Sequence, residues 1–116
     1  MPKATRGEVW EVEFDPAVGA EIRKSRPAVV MNAADVGRLP LCIVVPITEW
    51  KPAFGACVWF TQLTPTATNG LSKDSAADAF QVKSLSEARL KHRLGHLSED
   101  EVSEVAAAVA LCVGYR

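Results

Sequence analysis

Only one segment of this chain carries a complete helix signature, and it comes near the end. Ser98, Glu99, Asp100 and Glu101 spell a capping box: the Ser98 hydroxyl can accept from the Glu101 amide, and Glu101 can reach back to the Ser98 amide. Acids in that first turn suit the positive end of a helix. Val102, Val105, Ala106, Val109, Cys112 and Val113 follow at helical spacing, which predicts one buried helix face, with Gly114 ending the helix. Upstream of the cap the chain reads in short extended pieces. Residues 8–14 alternate, with Trp10, Val12 and Phe14 on one face and Glu11 and Glu13 on the other, the pattern of a half-buried strand. Residues 27–31 read as a second strand with Pro27 at its start, and residues 41–47 as an apolar third in which Pro46 marks an edge or a bulge. Residues 57–60 predict a fourth, residues 61–75 a polar loop turning at Asn69-Gly70, residues 76–84 a returning strand, and residues 94–97 a further short strand or turn. Five or six strands followed by one helix predict a mainly β (α+β) fold. Its form would be a small, strongly curved antiparallel sheet or SH3-like barrel with a C-terminal helix.

The 116 residues suffice for one domain, spanning 1–116, and one core. No stretch is long and apolar enough to cross a bilayer, and the first six residues lack the apolar region of a secretion signal, so a cytoplasmic protein without membrane contact is expected. Cys42, Cys57 and Cys112 lie among apolar neighbours without metal-ligand spacing and are expected to be buried and inert. His92 and His96 stand four apart, but Gly95 lies between them and Lys91 and Arg93 would repel a cation. No metal and no cofactor are therefore implied.

The net charge of −1 advertises no global affinity for nucleic acid, so any polyanion site must be local. Arg23, Lys24 and Arg26 cluster around Ser25 in a loop that enters a strand through Arg26-Pro27, with Glu21 the one nearby acid. Lys83, Arg89, Lys91 and Arg93 form a second basic stretch, for which solvated charge is the simpler reading. The apolar strand Val44-Val45-Pro46-Ile47 ends in a hydroxyl, Thr48. An arginine fork and a threonine hydroxyl at two strand ends can face one site and grip a phosphate, a constellation that suggests phosphodiester chemistry. Glu21 would either take a proton from a hydroxyl or orient Arg26. Trp50 and Phe54 follow Thr48 and offer faces on which bases could stack.

These segments resemble the MazF/PemK toxin endoribonucleases over nearly the whole chain. The likeness rests on Arg6-Gly7-Glu8-Val9-Trp10, Asp15-Pro16 through Gly19 and Glu21, Arg26-Pro27-Ala28-Val29-Val30, Val45-Pro46-Ile47-Thr48, Asn69-Gly70-Leu71, and Gln81-Val82-Lys83-Ser84. The resemblance implies a homodimer that cuts single-stranded RNA sequence-selectively without a metal and so arrests translation, paired with an antitoxin whose disordered tail occupies the RNA groove. By the same resemblance Arg26 and Thr48 are catalytic and Glu21 a catalytic or site-shaping acid. Arg23, Lys24, Ser25, Trp50, Gln81 and Lys83 would contact RNA, Gln81 by reading a base edge with its amide. The chain departs from the family pattern where Phe80, instead of an aspartate, precedes Gln81. The alternative is a toxin such as CcdB, which shares the fold and binds DNA gyrase through its C-terminal end. Here the chain ends Val113-Gly114-Tyr115-Arg116, without the Trp-Gly-Ile-like ending associated with that activity.

Overall fold

The computed structural model describes residues 4–115; Met1 to Lys3 of the N-terminal segment and Arg116 of the C-terminal tetrapeptide lie outside the described residues. Among the described residues seven strands are followed by one α-helix: β1 (Glu8–Glu13), β2 (Ser25–Val30), β3 (Leu41–Glu49), β4 (Phe60–Leu63), β5 (Ser75–Asp78), β6 (Lys83–Ser86), β7 (Leu90–His96) and α1 (Glu99–Cys112). All form a single antiparallel sheet in the order β4-β5-β3-β2-β1-β7, with β6 also pairing β3. The sheet stays open, with β4 and β7 at its ends.

Alternation along the strands sorts the apolar side chains onto two faces. Val9, Val29, Val45 and Ile47 face α1 and pack with its Val102 and Val105. Trp10, Val12, Ala28, Val30 and Val44 face the other way and are covered by Leu85 and Leu90. The central strands β2 and β3 are therefore apolar on both sides, as fully buried strands are. Against β1, β7 skips a residue at Leu94 and another at Lys91. Such bulges increase local twist and bend the strand.

The helix starts at the cap the sequence announces: Ser98 accepts from the Glu101 amide at 3.2 Å, and Glu101 accepts from the Ser98 amide at 3.0 Å. Val113 departs from the expected buried face and is 72% exposed, because it lies beyond the last helical turn. Several strand boundaries also differ. Residues 57–59 form a turn, and β4 begins only at Phe60, running into the stretch expected to be loop. Residues 76–84 are two strands separated by a one-turn helix over Ala79–Gln81, since the Asp78 side chain accepts from the Phe80 amide and turns the chain. The last strand extends over Leu90–His96 instead of 94–97, so His92 and His96 lie on a strand and not on a helix.

Pro46 stands in an interior strand, where proline is normally excluded. The outer side of β3 pairs β6 through Val44 and β5 from Ile47 onward, so Pro46 occupies the gap in which one partner hands over to the next. Cys42 is buried, and desolvation pushes its thiol up to about 11, with Glu87 adding to the shift. Cys57 and Cys112 are only half-buried, contrary to the sequence expectation.

Candidate active site

The register of β2 against β3 brings the two catalytic candidates together. Ala28 pairs Pro46 and Val29 pairs Val45. The paired residues end at Ala28, but continuing the register by two places Arg26 across from Thr48, and both residues line the same two hollows. On the next strand Thr48 pairs Ala76, and Phe60 pairs Asp78. Arg26, Thr48, Asp78 and Phe60 thus share one face of the sheet, the one turned away from α1.

These four side chains line a pocket of about 310 Å³ together with Glu21, Ile22, Arg23, Phe54 and Gln81. A hollow of about 450 Å³ continues from it, sharing Arg26 and Thr48 and adding Ser25, Lys51 and Lys73. Another, of about 510 Å³, shares Glu21, Ile22 and Gln81 and adds Phe80 and Lys83. The shared linings make one open trough with Arg26 and Thr48 near its middle and Lys51 and Lys83 toward its two ends. Lys73 is paired with Glu49 at 3.5 Å, and Glu11 adds a second acid beside them. The open shape suits an extended strand.

Most of the sequence candidates border this trough, though not all in the expected manner. Arg26 donates through Nε to the Arg23 carbonyl at 3.2 Å, and it makes no ion pair among the described residues. Its Nη donors therefore have no protein partner there. Glu21 accepts from the Val18 amide at 2.8 Å; its carboxylate folds back on its own loop instead of pairing Arg26. Arg23 donates to the Gly19 carbonyl at 3.0 Å. Lys24 is the one described non-glycine residue with a left-handed backbone, at φ 67°. That conformation costs about 1 kcal/mol or more and turns the chain into Ser25 and Arg26. Ser25 donates to Glu13 at 3.2 Å and accepts from Lys91 at 3.1 Å, while Lys83, also of the second basic stretch, lines the trough itself. The others brace the fold: Arg89 donates to the carbonyls of Glu13 and Asp15, and Arg93 pairs Glu8 at 3.2 Å.

Trp50 stands behind the pocket, edge-on to Phe54 at 5.9 Å, while Phe54 stacks on Phe60 at 3.9 Å to form the aromatic wall. The amide of Gln81 is engaged at both ends, accepting from the Ile22 amide at 2.6 Å and donating to Asp78 at 3.3 Å. Sequence reasoning missed Asp78, Phe60 and Lys51. Asp78 is 8% exposed, and desolvation pushes its carboxyl above the usual range, partly offset by hydrogen bonds from Gln81 and Phe80. The signal for Asp78 was its spacing: an aspartate three residues before Gln81 can cap a one-turn helix. It meets Gln81 from that position, where the family pattern has the acid immediately before the glutamine.

An open antiparallel sheet with a terminal helix, and a trough holding a strand-end arginine opposite a hydroxyl, are features of a toxin class. The PemK-like, MazF-like toxins of type II toxin–antitoxin systems match residues 5–113, and the chain belongs to this family. Endoribonuclease MazF9 of Mycobacterium tuberculosis (strain ATCC 25618 / H37Rv) is 34% identical over 113 residues, covering 91% of this chain and 92% of that protein. The crystal structure of MazF (Form-I) from Deinococcus radiodurans shares the fold with a TM-score of 0.77 at 24% identity, covering 96% of each chain. An endoribonuclease in complex with its cognate antitoxin from a mycobacterial species also gives a TM-score of 0.77, at 14% identity and 98% coverage of each chain.

Proposed function

We propose that this MazF-family endoribonuclease cuts single-stranded RNA in the trough through Arg26 and Thr48, and acts as a translation-arresting toxin. The observation that carries the reading is the placement of Arg26 opposite Thr48 at the junction of two hollows, with the guanidinium Nη donors unpaired among the described residues. In the reaction the 2′-oxygen bonds to the adjacent phosphorus as the bond from phosphorus to the 5′-oxygen breaks. The 2′-hydroxyl proton passes to a base and the 5′-oxygen gains one, leaving a 2′,3′-cyclic phosphate and a 5′-hydroxyl.

Charge builds on the phosphoryl oxygens as the fifth bond forms, and the planar fork of Arg26 is suited to receive it. The Thr48 hydroxyl donates to a phosphate oxygen and fixes the phosphorus between them. The guanidinium of Arg26 serves as the donor to the leaving oxygen, whereas Glu21 is an exposed acid on the trough wall that can take the proton, Asp78 being buried against Gln81. Arg23, Lys51 and Lys83 hold flanking phosphates, and the stacked Phe54 and Phe60 offer a face to a splayed base. No step in this scheme calls on a metal.

A cognate antitoxin with an acidic, disordered tail would compete for the same trough. A cytoplasmic homodimer completes the reading; the exposed apolar Leu111, Val113 and Tyr115 at the end of α1 support an association surface. The gyrase-binding alternative is not favoured, given the family match and the relative named as an endoribonuclease.

The test is incubation with a long single-stranded RNA in excess EDTA, followed by mapping of the new ends. Discrete cuts with 5′-hydroxyl ends, absent from Arg26→Ala, are the expected outcome. Intact RNA together with inhibition of gyrase supercoiling would overturn it.

A further inference from the structure

The loop that carries Glu21 and leads into Arg26 is held to the rest of the protein by few bonds. Arg89 grips its entry, donating to the carbonyls of Glu13 at 3.0 Å and Asp15 at 2.6 Å, and the Phe14 amide closes its base on the Lys24 carbonyl at 2.9 Å. Between those anchors the bonds stay within the loop: Val18 to Glu21 and Arg23 to Gly19. Two contacts among the described residues leave the loop: Arg26 Nε donates from the start of β2 to the Arg23 carbonyl, and Ile22, whose side chain packs against the core, donates its amide to Gln81 across 59 positions of sequence.

The chemistry of that contact is unusually restrictive. A backbone N–H can only donate, and an ionised carboxylate can only accept. Gln81 lies between the two, so a single orientation of its amide serves both, with Oε1 toward Ile22 and Nε2 toward Asp78. The flipped amide would set donor against donor and acceptor against acceptor. Asp78 is itself fixed, being almost fully buried and accepting from the Phe80 amide at 3.1 Å through its other oxygen. The Asp78 carboxylate therefore dictates the glutamine orientation, and the glutamine holds the backbone of Ile22, whose side chain packs against the core, one residue from Glu21 and four from Arg26.

We propose that Asp78 and Gln81 form a polarity-matched latch that sets the position of the arginine loop, making both of them positioning residues of the site instead of groups that touch RNA. The proposal rests on the nuclease reading for its consequence, but the latch itself can be tested without RNA.

Two measurements are made on the parent, Gln81→Glu, Asp78→Asn and the double variant: hydrogen exchange at the Ile22 amide and steady-state RNA cleavage. Gln81→Glu sets two carboxylates against each other, and Asp78→Asn sets two amide NH2 groups against each other. Each is expected to speed Ile22 exchange at least about tenfold and to lower kcat about ten- to a hundredfold with KM little changed. In the double variant the new amide at position 78 donates to the new carboxylate at 81, which still accepts from Ile22. Both readouts should then return to within about threefold of the parent, a rescue that general damage to the fold would not give. Where a charged variant fails to fold, Gln81→Met removes both bonds without adding charge and should speed exchange alike. Parent-like Ile22 exchange in the single variants overturns the latch, as does a double variant no better than either single one. Faster exchange with unchanged cleavage overturns the positioning role. A parent protein that leaves RNA intact overturns the nuclease reading alone, because the exchange result stands apart from it.

Discussion

Two polar, glycine-containing loops look alike in the sequence and differ completely in how they are held. The loop over residues 64–70 wraps around Asn69, whose side chain is 1% exposed and makes three hydrogen bonds: from the amides of Thr66 and Leu71, and to the carbonyl of Thr64. Its backbone lies directly on β7, with the His96 amide donating to the Thr68 carbonyl at 2.9 Å. The arginine loop over residues 15–24 is mostly exposed and reaches the body from its interior through the Ile22 amide. Loop polarity predicts neither behaviour. What separates them is whether a polar side chain turns inward to satisfy its own backbone, which leaves a rigid brace, or the loop leans on a distant residue and stays free to meet a ligand.

The largest effect should come from disturbing the brace. A Cβ on Gly95 would stand 2.1 Å from the Thr68 carbonyl oxygen and 2.7 Å from the Asn69 carbonyl carbon, both backbone atoms that cannot swing aside. Gly95→Ala should therefore cost about 3 kcal/mol or more in denaturant unfolding. Gly19→Ala, in the arginine loop, meets nothing within 4 Å and bears only the strain of its left-handed backbone, about 1–2 kcal/mol. Equal midpoints for the two variants would mean that the two loops are held alike.

Arg26→Lys probes the opposite loop, where chemistry and not stability should suffer. A point charge in place of the planar fork is expected to lower kcat about 10²- to 10³-fold. The unfolding midpoint should move little, since Arg26 is half-exposed and unpaired among the described residues. A fall in stability matching the fall in rate would make Arg26 a structural residue.

The brace's own hydrogen bonds come next in size. Asn69→Ala leaves the Thr66 and Leu71 amides without their acceptor and should cost about 2 kcal/mol, read by thermal unfolding. Cleavage by the folded variant should match the parent, because Asn69 lines none of the hollows of the trough.

How much of this could be read from sequence follows the same division. The helix, its cap and the alternation of β1 were legible because each is local. Arg26 and Thr48 were legible as strand-end groups, yet their facing depends on the β2–β3 register, which no single segment encodes. Strand β7 was largely missed because Lys91, His92 and Arg93 interrupt its apolar pattern and two bulges break its alternation against β1. Asp78 was missed because residues 76–84 read as one strand, and only a side-chain hydrogen bond divides them. Pro46 was read as an edge or a bulge because its tolerance in an interior strand depends on a gap between two partners far away in sequence.

The smallest effect compares two acids, one at each end of the molecule. Glu8 accepts from the Thr5 amide at 2.9 Å and from the Trp10 indole at 3.0 Å, and it pairs Arg93 at 3.2 Å. Burial works against its ionisation, but these partners outweigh it and hold its carboxyl below the usual value. The native state then binds fewer protons than the unfolded chain in the window between the lowered and the ordinary value, so this contribution is full above the ordinary value and is lost as pH falls through the lowered one. Arg93 is nearly half-exposed, so solvent screens the pair and the total should stay below about 1 kcal/mol. Glu8→Gln should flatten the acid limb of a plot of melting temperature against pH, while leaving RNA cleavage at neutral pH unchanged. Glu21→Gln should lower RNA cleavage and leave the melting temperature at neutral pH unchanged, since its carboxylate is exposed and bonds only within its own loop. If Glu21→Gln also lowered the melting temperature at neutral pH, the arginine loop would be braced by its acid much as the opposite end is braced by Glu8, and the contrast between a rigid end and a working end would fail.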